Sequence, residues 1–187
     1  MTGTPHYFIG VPISEEIRQV LKDWQTELKQ VIEYKTWTHP EDFHITLKFL
    51  GAVDTKNINE VLHVLKEEAA SYPAPFHIEA SDLKFFGQKH KPRVLFMEVE
   101  KHPSLLNLKE IVESRLKRVG FPEENRPYRP HITIAKKWKE EQEGIFPNEK
   151  LENLKETMIL PVDRFHIFRI HPAKATKYEI VETIELG

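Results

Sequence analysis

A short signature occurs twice in the chain and constrains the fold more than any other feature. Residues 44–47 read His-Ile-Thr-Leu, and residues 131–134 read His-Ile-Thr-Ile. Each copy alternates polar and apolar residues, which is the two-residue period of a strand with one face toward a core. Because polar side chains are costly to bury without partners, we expect both polar faces to line one wet cleft between two lobes.

The length and composition are typical of a globular chain. There are 187 residues, of which 40% are hydrophobic and 30% charged. This length suits one domain, and we expect residues 1–187 to form a single two-lobed domain. The formal net charge of −2 argues against a protein that coats duplex nucleic acid, since such proteins carry a strong basic excess. A small anion held in a local pocket is compatible with that charge.

The absence of cysteine and of long apolar runs excludes several kinds of site and segment. Cysteine is absent, which excludes disulfides, thiolate metal sites and cysteine nucleophiles. Residues 1–10 lack the basic and apolar regions of a signal peptide, and no apolar run approaches the roughly 18 residues of a membrane span. We therefore expect a cytoplasmic protein without membrane contact, and we expect it to be a monomer.

Strand and helix patterns alternate along the chain. Apolar residues at helical spacing predict three helices, over residues 15–32, 55–69 and 103–119. Strand patterns occur at 7–13, 34–37, 43–51, 76–80, 94–99, 131–135, 157–162, 165–170 and 178–184. We interpret the charged segment 136–155 as a loop with one short helix. The pattern predicts an α+β fold in which helices pack on the outer faces of antiparallel sheets.

The paired histidines predict acid–base chemistry. Imidazole titrates near neutral pH, so one of His44 and His131 can accept a proton while the other donates one. Thr46 and Thr133 lie two residues along on the same faces and supply hydroxyl donors to a bound anion. Such a set of groups suits displacement at phosphorus. The remaining histidines lack this context, and we interpret them as structural or surface residues.

Two arginines precede the second copy of the signature in a loop that contains three prolines. A guanidinium close to His131 can hold phosphate oxygens and stabilise the charge that develops in a transition state. Arginines in loops often serve only to solvate the loop. We nevertheless include Arg129, two residues from His131, among the candidate site residues, with Arg126 as a supporting cation.

A metal centre and a serine triad are competing interpretations. Zinc or iron needs three or four converging ligands. The two copies supply two histidines, without a third ligand at His-x-His or His-Glu-x-x-His spacing. The sequence contains no Gly-x-Ser-x-Gly elbow. The sequence therefore favours a site that uses neither a metal nor another cofactor.

The two copies and their flanks resemble the twin His-x-Thr/Ser-x motifs of the two-histidine phosphoesterase superfamily. Residues 43–51 (FHITLKFLG) and 129–135 (RPHITIA) are similar to its RNA 2',3'-cyclic phosphodiesterase branch, also called the 2'-5' RNA ligase family. Residues 8–12, Trp37 and residues 93–96 add to the likeness. The resemblance implies two pseudo-symmetric lobes, each an antiparallel sheet with helices on the outer face, around a central cleft.

The resemblance also implies an activity. Members of the family hydrolyse the 2',3'-cyclic phosphate at an RNA 3' end to a 2'-phosphate without a metal, and 2'-5' RNA ligation uses the same groups in reverse. By this resemblance His44 is the general acid that protonates the departing 3'-oxygen, and His131 is the general base that activates water. Thr46, Thr133 and Arg129 would bind the phosphoryl oxygens. The symmetry of the motifs leaves open which histidine is the acid.

Two alternatives stay open from the sequence. One is a phosphodiesterase that acts on a small cyclic or 2'-5'-linked nucleotide, and the other is a non-catalytic module that binds RNA ends. The presence of both histidines and both threonines argues against the second, because binding alone needs no acid–base pair. The modest basicity around the motifs favours a short RNA 3' end over a long RNA as the bound part.

Overall fold

The computed structural model describes residues 3–67, 69–88, 91–139 and 148–187. The strands are β1 (His6–Pro12), β2 (Tyr34–Trp37), β3 (His44–Ala52), β4 (Phe76–Gln88), β5 (Lys91–Val99), β6 (His131–Trp138), β7 (Met158–Val162), β8 (Arg164–Ile170) and β9 (Tyr178–Glu185). The α-helices are α1 (Glu15–Leu28), α2 (Thr55–Lys66), α3 (Pro103–Lys117) and α4 (Asn148–Asn153). Short 3-10 turns at Pro40–Asp42 and Ala69–Ser71 complete the regular structure.

The strands form one antiparallel sheet. Its order is β7-β4-β5-β6-β3-β1-β8-β9, and β2 pairs with β6 beside β3. The α+β fold with antiparallel pairing is therefore confirmed. The two halves of the sheet, β7-β4-β5-β6 and β3-β1-β8-β9, are continuous through the pair Ile45–Ile132. The cleft expected between the lobes consequently crosses a sheet at its middle.

The hydrophobic core lies between the sheet and the helices. Ile9, Ile45 and Ile132 of the central strands belong to the same buried cluster as Leu21 of α1 and Leu108 of α3. Since successive side chains of a strand point to opposite faces, the motif histidines point away from this core. None of the helices within the described residues is long and apolar enough to cross a membrane.

Local side chains and a glycine define the helix ends, two of which differ from the prediction. Ser14 and Asp54 accept hydrogen bonds from the first turns of α1 and α2 as expected of N-caps. After α3, Gly120 has a φ of +92° and allows Phe121 N to donate to Leu116 O at 3.1 Å, which is a glycine-dependent helix stop. The prediction was wrong in extending the first helix to residue 32 and the second to residue 69. Residues 29–31 form a turn after the first helix, and the extended ψ of 140° at Glu67 ends the second.

A β-bulge interrupts β3 three residues after its histidine. Strand β1 pairs Ile9 with Lys48 and Gly10 with Thr46, so the intervening Leu47 has no partner. A bulge reverses the face of every residue that follows it. Lys48 accordingly turns into the core, with 5% of its surface exposed, and Phe49 turns out with 61% exposed.

Strand β6 is longer than the sequence predicted. The charged segment from residue 136 was expected to be a loop, but the strand continues to Trp138. A second bulge, at Ile134, breaks the two-residue alternation there and hides the continuation of the strand. Helix α4 falls in the rest of the segment as expected, and residues 140–147 lie outside the described residues.

Two buried lysines share one carboxylate behind the first motif strand. Lys48 and Lys109 of α3 donate to Glu113 Oε1 at 3.1 and 2.9 Å. Lys48 also donates to the carbonyl of Pro122 at 2.7 Å, and Lys109 donates to that of Leu47 at 3.0 Å. Burial raises the pKa of Glu113, but the hydrogen bonds from both lysines outweigh it and hold that pKa below its ordinary value.

This ion cluster fastens the loop after α3 to the motif strand. Glu124 donates its backbone N–H to Glu113 Oε1 at 3.2 Å. The Tyr128 hydroxyl donates to the carbonyl of Thr46 at 2.8 Å, and the Lys109 ammonium lies 5.0 Å from the centre of the Tyr128 ring. The loop that delivers the chain into the second motif is thus anchored on the first.

Replacement of Glu113 by leucine tests the cluster. The change leaves two buried ammonium groups with only the longer ion pairs to the more exposed Glu124 carboxylate, so we expect the free energy of unfolding in urea to fall by about 3 kcal/mol. Glu123→Leu is the matched control, because Glu123 pairs with Lys117 at the exposed surface and should cost under about 1 kcal/mol. Equal losses for the two variants would show that the cluster does not hold the fold.

Candidate active site

The two motifs meet at their central isoleucines, which pair across β3 and β6. In an antiparallel pair, the residue before one partner lies beside the residue after the other. His44 therefore neighbours Thr133, and Thr46 neighbours His131. All four polar side chains are half-buried on the face opposite the core. The structure thus brings together four of the five candidate residues through a single contact between strands.

Backbone carbonyls fix the orientation of both imidazoles. His44 Nδ1 lies 2.7 Å from the carbonyl oxygen of Asp42, and His131 Nδ1 lies 2.7 Å from that of Arg129. A carbonyl only accepts, so Nδ1 carries the proton and Nε2 of the neutral ring is unprotonated. The Thr46 hydroxyl, 2.9 Å from His44 Nε2, donates to it. Each ring is therefore set to exchange a proton through Nε2.

Aromatic side chains enclose His44. Its ring centre lies 4.6 Å from that of Phe8, 5.2 Å from Tyr178 and 5.9 Å from Phe168. Gly10 provides the remaining room, because a Cβ at this position would come within 3.2 Å of the imidazole. The three rings and the bare backbone hold the imidazole in place and shield it from water.

His131 has a similar but more open environment. Its ring centre lies 5.1 Å from Phe96 and 5.2 Å from Phe86, both on the neighbouring strands β4 and β5. In both histidines, Nδ1 donates to a backbone carbonyl and aromatic rings flank the imidazole. His44 has more aromatic neighbours than His131.

Burial keeps both imidazoles uncharged near neutral pH. It lowers the pKa of His44 to about 4, offset in part by the hydrogen bond to Asp42 and reinforced by the charges of Lys136 and His131. Burial also lowers the pKa of His131, against the opposing effect of its bond to Arg129. A bound anion would favour the protonated form of these imidazoles and would be stabilised by it in turn.

A cavity of about 650 Å³ opens beside the motifs. The residues around it include Thr46, His131, Phe49, Phe86, Arg93, Arg126 and Arg129. Arg126 and Arg129 have exposed side chains, so their guanidinium groups reach solvent at the rim. The cavity thus combines a motif histidine and hydroxyl with cationic and aromatic walls.

These groups can transfer protons and hold an anion. Two imidazoles with unprotonated Nε2 atoms serve acid–base catalysis once one of them is charged. Hydroxyl and guanidinium groups donate to phosphoryl oxygens. Within the part of the chain that the structure describes, no group of three or more histidine, aspartate or glutamate side chains is arranged to hold a metal ion.

Comparison with known sequences identifies the family. The family model described as the AKAP7 2'5' RNA ligase-like domain matches residues 5–186. A Bacillus subtilis (strain 168) protein named RNA 2',3'-cyclic phosphodiesterase is 37% identical over 183 residues, which cover 98% of this chain and 97% of that protein. The chain belongs to this family of two-histidine phosphoesterases.

Solved structures share the fold of this phosphoesterase. A crystal structure of a Thermus thermophilus protein matches it with a TM-score of 0.75 at 24% identity, covering 97% of both chains. The structure of E. coli LigT complexed with 3'-AMP matches with a TM-score of 0.72 at 20% identity, covering 98% of both chains. At such identities the likeness establishes the α+β architecture alone.

Sequence analysis found the motifs of the phosphoesterase but not the residues that enclose them. Phe8, Phe168 and Tyr178 come from strands at both ends of the chain, and their convergence on His44 depends on the order of the sheet. The sequence held one signal: the apolar run around Phe8 belongs to a strand whose alternate residues face the cleft. Asp42 was not among the candidate site residues, although its carbonyl orients His44.

Proposed function

We propose that this phosphoesterase hydrolyses the 2',3'-cyclic phosphate at an RNA 3' end to a 2'-phosphate, using two histidines and no metal. One observation carries the proposal: the strand pair at the motif isoleucines sets two imidazoles, each with an unprotonated Nε2, on the same face of the sheet. The 37% identical Bacillus subtilis relative bears the name of the same activity.

In the proposed reaction, His131 Nε2 removes a proton from water as the water oxygen attacks phosphorus. The bond from phosphorus to the 3'-oxygen breaks, and His44 Nε2 gives its proton to that oxygen. An in-line attack requires the two imidazoles on opposite sides of the phosphorus, which suits histidines from two different strands. Thr46, Thr133 and Arg129 hold the phosphoryl oxygens. 2'-5' RNA ligation uses the same groups in the reverse direction.

His44 must acquire a proton before it can act as the acid. In the free protein its pKa is about 4, so few molecules carry that proton at pH 7. A phosphate bound between the histidines adds negative charge to a water-poor site and raises the pKa of His44. The Thr46 hydroxyl then turns from His44 Nε2 to a phosphoryl oxygen. Substrate binding and protonation of the acid are therefore coupled.

Several parts of the proposal rest on the sequence expectations. The alternative substrate is a small cyclic or 2'-5'-linked nucleotide, for which the cavity beside the motifs is also large enough. A non-catalytic RNA-end module is less favoured, because binding gives no reason for two imidazoles oriented through Nδ1. A cytoplasmic location, a monomeric state and one working domain over residues 1–187 stay predictions.

Histidine substitutions test the reaction. With an EDTA-treated protein and an RNA that ends in a 2',3'-cyclic phosphate, we expect a 2'-phosphate product. His44→Ala and His131→Ala should each lower kcat by about 10²–10⁴-fold, the usual contribution of one acid or base. His63→Ala, on the exposed face of α2, is the control and should retain the rate. A motif variant with nearly wild-type turnover, at an unchanged melting temperature, would exclude the mechanism.

A sulfur substitution at the leaving group assigns the two roles. When sulfur replaces the 3'-oxygen of the cyclic phosphate, the departing thiolate needs no proton, so the general acid becomes dispensable. We expect the thio substrate to restore most of the rate of His44→Ala and little of that of His131→Ala. Both variants are assayed with the oxygen and sulfur substrates at one pH. If the thio substrate instead restored the rate of His131→Ala, His131 would be the general acid and His44 the general base.

The pH dependence of the rate follows from the lowered histidine pKa values. The active free form carries one protonated and one neutral imidazole, and both pKa values lie below 6.5. We therefore expect kcat/KM to reach its maximum below pH 6.5 and to fall as pH rises through 7 and 8. Because bound phosphate raises the pKa of His44, kcat should peak at a higher pH than kcat/KM. A kcat/KM that rises between pH 6.5 and 8 contradicts the electrostatics of the site.

A further inference from the structure

The bulge in β6 turns Lys136 toward the cleft. Strand β5 pairs Leu95 with Ala135 and Phe96 with Thr133, so Ile134 is the extra residue. Ile134 and Ala135 are both fully buried, and the alternation restarts after them with Lys136 half-buried on the other face. Lys136 therefore shares the face of the second motif, although simple counting from its histidine assigns it to the core side.

Lys136 follows Thr133, the neighbour of His44 across the strand pair, by three residues on the same face. Its positive charge contributes to the low pKa of His44. Burial lowers the pKa of Lys136 itself, as do the charges of Lys177 and Lys137, while the carboxylate of Asp42 opposes them. The geometry agrees with these effects, since Lys136 lies on the cleft face of the strand that pairs with β3, and Lys177 belongs to the turn that the Asp42 carboxylate binds.

The position of Lys177 is fixed by the turn between β8 and β9. Its backbone N–H donates to both carboxylate oxygens of Asp42, at 2.8 and 3.1 Å, and the N–H of Tyr178 donates to one of them at 3.1 Å. Asp42 is buried, and its carbonyl orients the imidazole of His44. One residue thus ties the turn that bears Lys177 to the motif histidine.

Neither ammonium has a partner of its own. Across residues 3–67, 69–88, 91–139 and 148–187, no hydrogen bond or ion pair engages Nζ of Lys136 or Lys177. The Asp42 carboxylate accepts from backbone donors instead. By contrast, the ammonium groups of Lys48 and Lys109 each donate to the Glu113 carboxylate and to a backbone carbonyl. The charge of the Asp42 carboxylate offsets only part of the burial of Lys136, and neither half-buried ammonium forms a direct salt bridge within the described residues. A bound anion therefore stabilises both cations and reduces their mutual repulsion.

We propose that Lys136 and Lys177 form a second phosphate subsite beside His44, which receives the phosphodiester that precedes the terminal nucleotide of an RNA substrate. The inference rests on the proposed function, in which His44 faces the 3'-oxygen and the ribose therefore lies on its side of the phosphorus. The 5'-oxygen of the same ribose carries the preceding phosphodiester. The subsite thereby distinguishes the end of an RNA chain from a free cyclic nucleotide.

The test compares two substrates in each variant. Adenosine 2',3'-cyclic phosphate lacks a preceding phosphodiester, and the dinucleotide ApA with a 2',3'-cyclic phosphate has one. The measured quantity is the ratio of kcat/KM for the dinucleotide to that for the mononucleotide. Any effect of the lysine on the charge of His44 acts on both substrates and cancels in the ratio.

We expect Lys136→Met and Lys177→Met each to lower this ratio by about tenfold, the loss of one charge-assisted hydrogen bond. Lys174→Met is the matched control, because Lys174 lies exposed in the same turn and should leave the ratio unchanged. If Lys136→Met and Lys177→Met slow both substrates equally, the lysines serve the reacting phosphate and the subsite is excluded.

Equilibrium binding separates failure of the subsite from failure of the proposed function. The Kd values of adenosine 2'-phosphate and of ApA 2'-phosphate can be measured by calorimetry without turnover. We expect wild-type protein to bind the dinucleotide more tightly, and Lys136→Met and Lys177→Met to lose about tenfold of that preference. A wild-type protein that turns over neither cyclic substrate but keeps this preference overturns the hydrolytic function alone. Equal Kd values for the two ligands in wild-type protein overturn the subsite.

Discussion

The pair between Ile45 and Ile132 is the contact on which the rest of the structure depends. It is where the two halves of the sheet join, and both isoleucines are fully buried in the core. Because the strands are antiparallel, this pair sets each motif histidine beside the threonine of the other motif. A slip of either strand by one residue would turn its histidine into the core, so the burial of the isoleucines also specifies the register of the site.

Burial and hydrogen bonding act in opposite directions on the two imidazoles. The aromatic rings around them exclude water and disfavour the charged form, while the carbonyls of Asp42 and Arg129 favour it by accepting from Nδ1. Burial prevails, and the free site is short of positive charge on its histidines. An anion changes that balance, since its charge acts in surroundings where water screens it poorly. Binding of an anionic ligand thus raises the pKa values of the histidines and favours their protonated form.

Much of the fold followed from the sequence, because alternation over the motifs and helical spacing between them are local signals. Both motif strands, the three long helices and the α+β class were predicted in this way. The bulges were not, since an extra residue is visible only in the register with the opposite strand. They decide that Lys48 is buried and that Lys136 faces the cleft. The ion cluster around Glu113 was missed for a related reason: Lys109 is one helical turn from Glu113, but Lys48 is 65 residues away and meets it only through the fold.

The two bulges also break the symmetry of the site. Each follows its histidine by three residues, so the backbones of the two motifs repeat each other, and the next residue turned to the cleft is Phe49 in one and Lys136 in the other. Phe49 lines the cavity next to His131, whereas the charge of Lys136 acts on His44. A ligand with both apolar and anionic parts is then favoured in one orientation. Two nearly identical motifs therefore hold their histidines in different surroundings.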